Sequence, residues 1–256
     1  MRMHLDVQEL RNFYYRNALG RAAGAQLRDR VHRLWPDVSG QTVVGFGFAS
    51  PLLRPYLQDA RRVISLMPGP QGVMPWPSKG PNTSVLCQET EWPLETGHVD
   101  RLIMLHGLET SEQPSHLLEE VWRVLGPGGK AIFIVPNRAG LWARRDKTPF
   151  GYGRPYSMSQ LETQLRKHQF LPERQLGALY QFPSHRRVWM KSAKLFESMG
   201  RIMPGAIAGG AFVLEASKRV YPPKGRVQRE TQRRGIPVLE GITKPVAGRV
   251  GRTPRG

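Results

Sequence analysis

The chain has 256 residues, 39% of them hydrophobic, enough for one core with polar extensions. Its 38 Lys and Arg against 20 Asp and Glu give a net charge of +18; this suits an anionic partner such as RNA, DNA or a lipid surface, and equally a solvated basic tail. One cysteine, Cys87, excludes an intrachain disulfide and a cysteine-rich metal site, no apolar run is long enough to span a membrane, and residues 1–6 lack the apolar stretch of a signal peptide, so a cytoplasmic protein without a metal is expected.

In chain order, residues 5–34 read as two helices. Leu10, Phe13, Tyr14, Ala18 and Leu19 form one apolar stripe. Leu27, Val31 and Leu34 form another beyond Gly20. Phe13, Tyr14 and Tyr15 either line a cleft or pack on a sheet edge. After a turn at 35–40, the apolar run Thr42–Gly45 predicts a first strand. Gly45-Phe46-Gly47 predicts a tight turn and Pro51–Gln58 a helix. Strand, Gly-rich turn and helix is the layout of a nucleotide-binding crossover, in which glycines let backbone approach a ligand at a helix N-terminus. Residues 61–67 give a second strand. The prolines and glycines of 68–77 replace the helix that would follow it.

A short third strand is predicted at 84–87, a fourth at 100–105 and a fifth at 130–135. Between the last two, Leu117, Leu118, Val121, Val124 and Leu125 recur at helical spacing, and Gly126-Pro127-Gly128-Gly129 stops the helix. Ala131–Val135 is apolar without alternation, as in a strand buried on both faces. A helix capped by Ser157 or Ser159, a strand at 174–182, a basic amphipathic helix at 185–202 and a last strand at 211–216 complete the folded part. Residues 222–256 hold nine Lys and Arg, two Glu, eleven Gly and Pro and no aromatic residue. Such a segment reads as a disordered basic tail. The expected divisions are 1–40 (helical extension), 41–221 (α/β domain) and 222–256 (tail).

Gly45-x-Gly47, the acidic stretch around Asp100, Leu108-Glu109, Arg123-Val124-Leu125-Gly126-Pro127-Gly128-Gly129 and Pro136-Asn137 together resemble the class I S-adenosylmethionine-dependent methyltransferases across roughly residues 42–217. The resemblance implies an α/β Rossmann-like sheet, mostly parallel with an antiparallel last strand and helices on both faces. It also implies S-adenosylmethionine as cofactor, held by Gly45, Gly47, Ala49, Ser65, Gln88, Glu89 and Leu105. His106, at the carboxyl end of the fourth strand, faces the cofactor's methyl end in that scheme. It either serves a nucleophile or is a loop histidine satisfied by hydrogen bonds. Glu109 is expected to fix the start of the next helix. Arg144, Arg145, Lys147 and Arg154, set among aromatics, are candidates for substrate binding, with RNA or another polyanion as partner. The sequence departs from the family pattern in the first turn and after the second and third strands. Val43 stands where an acid usually precedes the glycines and Ala49 replaces the third glycine, Ser65-Leu66-Met67 offers no carboxylate for the ribose, and Gln88, with Glu89 next to it, stands where an acid often meets the adenine. A methyltransferase of unknown acceptor and a degenerate, non-catalytic fold acting as an RNA- or ribosome-binding protein are therefore both carried forward.

Overall fold

The computed structural model describes residues 5–144, 148–180, 183 and 209–219. Seven strands form one sheet in the order β3-β2-β1-β4-β5-β7-β6. They are β1 (Thr42–Gly47), β2 (Arg62–Pro68), β3 (Ser84–Cys87), β4 (Val99–Leu105), β5 (Leu125–Pro136), β6 (Phe170–Ala178) and β7 (Ala211–Lys218). The first five run parallel, and β7 is antiparallel to both β5 and β6. This is the expected Rossmann-like methyltransferase sheet.

Side-chain alternation sends Val43, Ile103, Ile132 and Val213 to one face, under α1 (Val7–Arg11), α2 (Ala18–Leu34) and α3 (Ser50–Leu53). Val44, Phe46, Leu102, Phe133 and Leu214 face the other side, under α4 (Pro114–Val124) and α5 (Met158–Lys167). The helices before residue 40 thus share the core of the sheet. Three long-range links fix the C-terminal part of α2: Arg30 Nε donates to Gly177 O (3.0 Å), Arg174 Nη2 to Leu34 O (2.7 Å) and Trp35 Nε1 to the buried Glu215 carboxylate (2.8 Å).

Local sequence explains where the elements stop. The helical break falls at Asn17, whose side chain caps α2 by accepting from Leu19 N, and not at Gly20. Gly20 lies inside α2, where any Cβ would overlap the Phe13 carbonyl. Asn12–Arg16 form a π-helical turn, which buries Phe13 and Tyr14 and leaves Tyr15 exposed. The helix after β1 is shorter than predicted: α3 gives way to a 3-10 turn at Arg54–Leu57, because Pro55 has no N–H to continue the ladder. No helix follows β2, as expected from the prolines and glycines of residues 68–77. The Gly-rich turn after α4 becomes part of β5. Leu125 pairs with Val99, and a Cβ on Gly126 would meet Gly97 O at 2.8 Å. β6 begins at Phe170 rather than 174, and α5 carries the expected Ser157 cap. The predicted helix at 185–202 and the tail at 222–256 lie outside the described residues. No helix among the described residues is long and apolar enough to cross a membrane, and none of their His, Cys, Asp and Glu side chains group as metal ligands.

Candidate functional site

The carboxyl ends of β1, β2, β3 and β4 lie side by side, where ligands of open α/β sheets bind. Their two halves differ. At the ends of β2 and β3 a cavity of about 490 Å³ opens, lined by Gly69, Pro70, Leu86, Cys87, Gln88, Glu89, Thr90 and Gln113. Burial pushes the Glu89 carboxyl up, against the opposing effect of the Glu112 and Gln113 backbone N–H groups. Its Oε1 is buried with no hydrogen-bond partner among the described residues. The Cys87 thiol, raised to about 12 by burial and by Glu120, is the unreactive thiol form at neutral pH.

The half at the ends of β1 and β4 is filled. His106 follows β4 with a left-handed backbone (φ 53°) and is buried. Its Nε2 lies 2.7 Å from the Tyr14 hydroxyl and its Nδ1 3.0 Å from Glu109 Oε1. Burial, and then the Glu109 charge, hold the Tyr14 phenol well above its usual value. The Glu109 carboxylate accepts, so the imidazole proton belongs on Nδ1, and Nε2 is left to accept from the protonated Tyr14 hydroxyl. The Tyr14 ring stacks on Phe48 (centroids 5.6 Å apart), and Phe150 packs edge-on to His106 at 4.8 Å. The His106 carbonyl accepts from Gln71 Nε2 and Thr110 Oγ1. Gln71 in turn accepts from Val7 N through its own carbonyl, at 2.7 Å. The space left here, lined by Leu5, Leu10, Gln71, His106, Thr110, Pro149 and Tyr152, is about 10 Å³, room for one water.

Each residue predicted to hold the cofactor has a definite place in this arrangement. Gln88 and Glu89 line the open cavity. Gly45 lies within β1, and a Cβ there would press on Leu53 Cδ1 (2.6 Å) and Ala49 Cβ (2.8 Å). Gly47 ends β1 with φ 77°, and its Cβ would run into the carbonyl oxygens of Leu105 and His106. Both glycines are thus required by protein packing, whatever they do for a ligand. Ala49 is buried at the start of α3. Ser65 lies inside β2 beside Gly45 and Ser84, three residues short of the strand end, with its buried hydroxyl unpartnered among the described residues. Leu105 is buried, and its carbonyl accepts from Phe48 N.

Glu109 does not start a helix, since α4 begins at Pro114; its role is to hold His106. Arg144 and Arg154 are exposed, with Arg154 N donating to Glu109 O (2.7 Å), while Arg145 and Lys147 lie outside the described residues. Trp142 and Phe150 of the same loop are core residues. Sequence reasoning missed Tyr14 and Gln71 as partners of His106. Ninety-two and 35 residues separate them from it, and no local pattern links such positions. The Glu109 contact had a signal in its spacing, three residues after His106.

The cofactor implied by the sequence resemblance can be tested against these side chains. The open cavity, with its polar Gln88 and unpartnered Glu89 oxygen, suits an adenosyl group. The filled half, with space for one water, does not fit the methionyl end in this conformation.

A family model described as a methyltransferase domain matches residues 44–133. No curated protein matches the sequence. Among solved structures, the chain is similar to an S-adenosylmethionine-dependent methyltransferase of Thermotoga maritima, described as a possible histamine N-methyltransferase. The two share 19% identity over 83% of this chain and 96% of that one, with a TM-score of 0.60. It is similar to an S-adenosylmethionine-dependent methyltransferase of Archaeoglobus fulgidus at 14% identity, 83% and 100% coverage and a TM-score of 0.55. It also resembles a chain of a Haloferax volcanii complex between the Trm112 methyltransferase activator and its methyltransferase partner, at 17% identity, 83% and 99% coverage and a TM-score of 0.54. Strand order and the antiparallel end of the sheet are those of the class I methyltransferase fold, and residues 44–133 within it match the methyltransferase-domain model.

Proposed function

We propose that the protein is an S-adenosylmethionine-dependent methyltransferase that docks the adenosyl group at the ends of β2 and β3. The open cavity around Gln88 and Glu89, in a domain of this fold, is the observation that carries the reading. When bound, the cofactor supplies an electrophilic methyl group. The chain's own contribution is positioning. Gln88 and Glu89 offer acceptors and donors to the base, Glu109 holds the His106 proton on Nδ1, and His106 Nε2 faces the strand ends as an acceptor now used by Tyr14. The acceptor substrate approaches from the side of Tyr152 and Arg154, which flank Glu109.

The filled methionyl half favours a second reading, a fold that no longer turns over and binds RNA or another polyanion through its basic residues. Calorimetric titration with S-adenosylmethionine separates the two. Saturable one-to-one binding, weakened at least tenfold by the double variant Gln88→Ala, Glu89→Ala, supports the first. No heat up to millimolar cofactor, with salt-sensitive binding to single-stranded RNA, supports the second.

A further inference from the structure

Two segments far from β4 in sequence meet at His106: the π-helical turn that carries Tyr14, and the loop after β2 that carries Gln71. They also grip each other, through Val7 N to Gln71 O at 2.7 Å. The stack of Tyr14 on Phe48 covers the residue that follows Gly47, so the cover sits on the Gly-rich turn itself. Both ring nitrogens of His106 are engaged by it and by Glu109. None of these contacts touches the cavity at Gln88 and Glu89.

We infer that residues 7–16 and Gln71 are a built-in occupant of the methionyl subsite, so that the closed chain accepts an adenosine-sized ligand, and a ligand that bears an amino-acid tail binds only as Tyr14 leaves His106. This rests on the adenosyl docking proposed above and adds what it costs and what moves. The moving part is defined by its links. The C-terminal end of α2 is tied to β6 and β7 by Arg30, Arg174 and Trp35, whereas the leading turn is tied to the sheet side by Tyr14 to His106, Val7 to Gln71 and Tyr15 to Ser50, and to α2 by Arg21 on the Tyr15 and Arg16 carbonyls. Asn17, where π-helical turn and α2 meet with an extended backbone (φ −83°, ψ 135°), is the point at which the leading turn can swing. Release also frees His106 Nε2, so the group that would orient an acceptor becomes available only when the tailed ligand is in place. The apparent affinity for such a ligand is reduced by the fraction of chain that is closed.

The test uses the full chain and two probes, adenosine and S-adenosylhomocysteine, with wild type and Tyr14→Phe. The variant keeps the ring on Phe48 and removes the hydroxyl. Adenosine is expected to bind both proteins equally and to leave amide exchange of residues 7–16 unchanged. S-adenosylhomocysteine is expected to bind Tyr14→Phe roughly three- to tenfold more tightly than wild type, the worth of one hydrogen bond. In wild type it should speed amide exchange in 7–16. Equal S-adenosylhomocysteine affinity of the two proteins, with unchanged exchange in 7–16, overturns the inference and leaves the cofactor reading standing. Binding of neither probe to either protein overturns both. If Tyr14→Phe loses its fold, the exchange measurement on wild type decides alone.

Discussion

The open cavity at β2–β3 and the filled end at β1–β4 stand side by side on one sheet, yet they are made differently. The open half is mostly local: Gly69 and Pro70 follow β2, Leu86 and Cys87 end β3, Gln88–Thr90 follow it, and Gln113 comes from the turn before α4. The filled half is assembled from residues 14, 48, 71, 106, 109 and 150. A site built from one strand end and the loop after it stays empty when the loop has only turn-forming residues to offer. A site at a central strand end is within reach of every neighbouring loop, and unless something keeps those loops away they pack it shut. A glycine accordingly means one thing in the filled half and another in the open half.

The largest expected effect tests that contrast at Gly47. Gly47→Val places a β-branched residue at φ 77° against the Leu105 and His106 carbonyls. Steric strain and overpacking together cost about 4 kcal/mol, and a melting curve should fall by roughly 10 °C. A variant as stable as wild type would show that Gly47 is there for a ligand and not for packing.

Next is Glu215→Ala, which strips the buried end of α2 of its anchor. Trp35 Nε1 loses its acceptor and Arg174 its partner (2.5 Å). With Arg174 half exposed, the expected cost is roughly 2 kcal/mol, read by urea denaturation. The same carboxylate predicts an acid limb. Burial raises its pKa, but hydrogen bonds from Arg174 and Trp35 and the Lys130 charge outweigh it, and the net direction is down. The folded state then binds fewer protons than the unfolded chain. The contribution is complete above the unfolded carboxylate value, about pH 4.5, and is lost as the pH falls through the lower folded value. An acid limb identical in wild type and Glu215→Gln would remove Glu215 from that account.

Smaller effects belong to the open half. A Cβ on Gly69 meets nothing nearer than Cys87 O at 3.9 Å. Gly69→Ala should change stability by less than about 1 kcal/mol while weakening adenosine binding several-fold in a calorimeter. Unchanged binding would mean that the cavity is not where the nucleoside sits. The smallest effect expected on the fold is that of truncation after Tyr221. The melting temperature should move by less than about 1 °C, while the slope of log affinity for RNA against log salt flattens through lost counterion release. A lost fold would place the tail inside the structure.

The fold was legible because its signals are short-range and redundant. Ala131–Val135, an unbroken apolar run, read as a strand buried on both faces, and Ser157 or Ser159 read as a cap. The Arg123–Gly129 stretch identified a helix stop next to a strand. The site was half legible for the same reason. Gln88, Glu89 and His106 are placed by the ends of strands that sequence reveals. Tyr14 and Gln71 are placed by tertiary packing, and their pairing with His106 has no counterpart in spacing or composition. The start of α2 was misread because Gly20 breaks helices by propensity, whereas here it is the residue that lets the Phe13 carbonyl pass.

The links of α2 to β6 and β7 have a consequence in time. Trp35 finds its partner 180 residues later and Leu34 its partner 140 residues later. During synthesis, α2 can close early only against α3 and the turn that carries Tyr56, and its C-terminal end lacks its anchors on β6 and β7 until Arg174 and Glu215 have emerged. The end of α2 is therefore among the first parts made and the last docked, and a nascent chain stopped before β7 leaves the Trp35 indole N–H without its carboxylate partner.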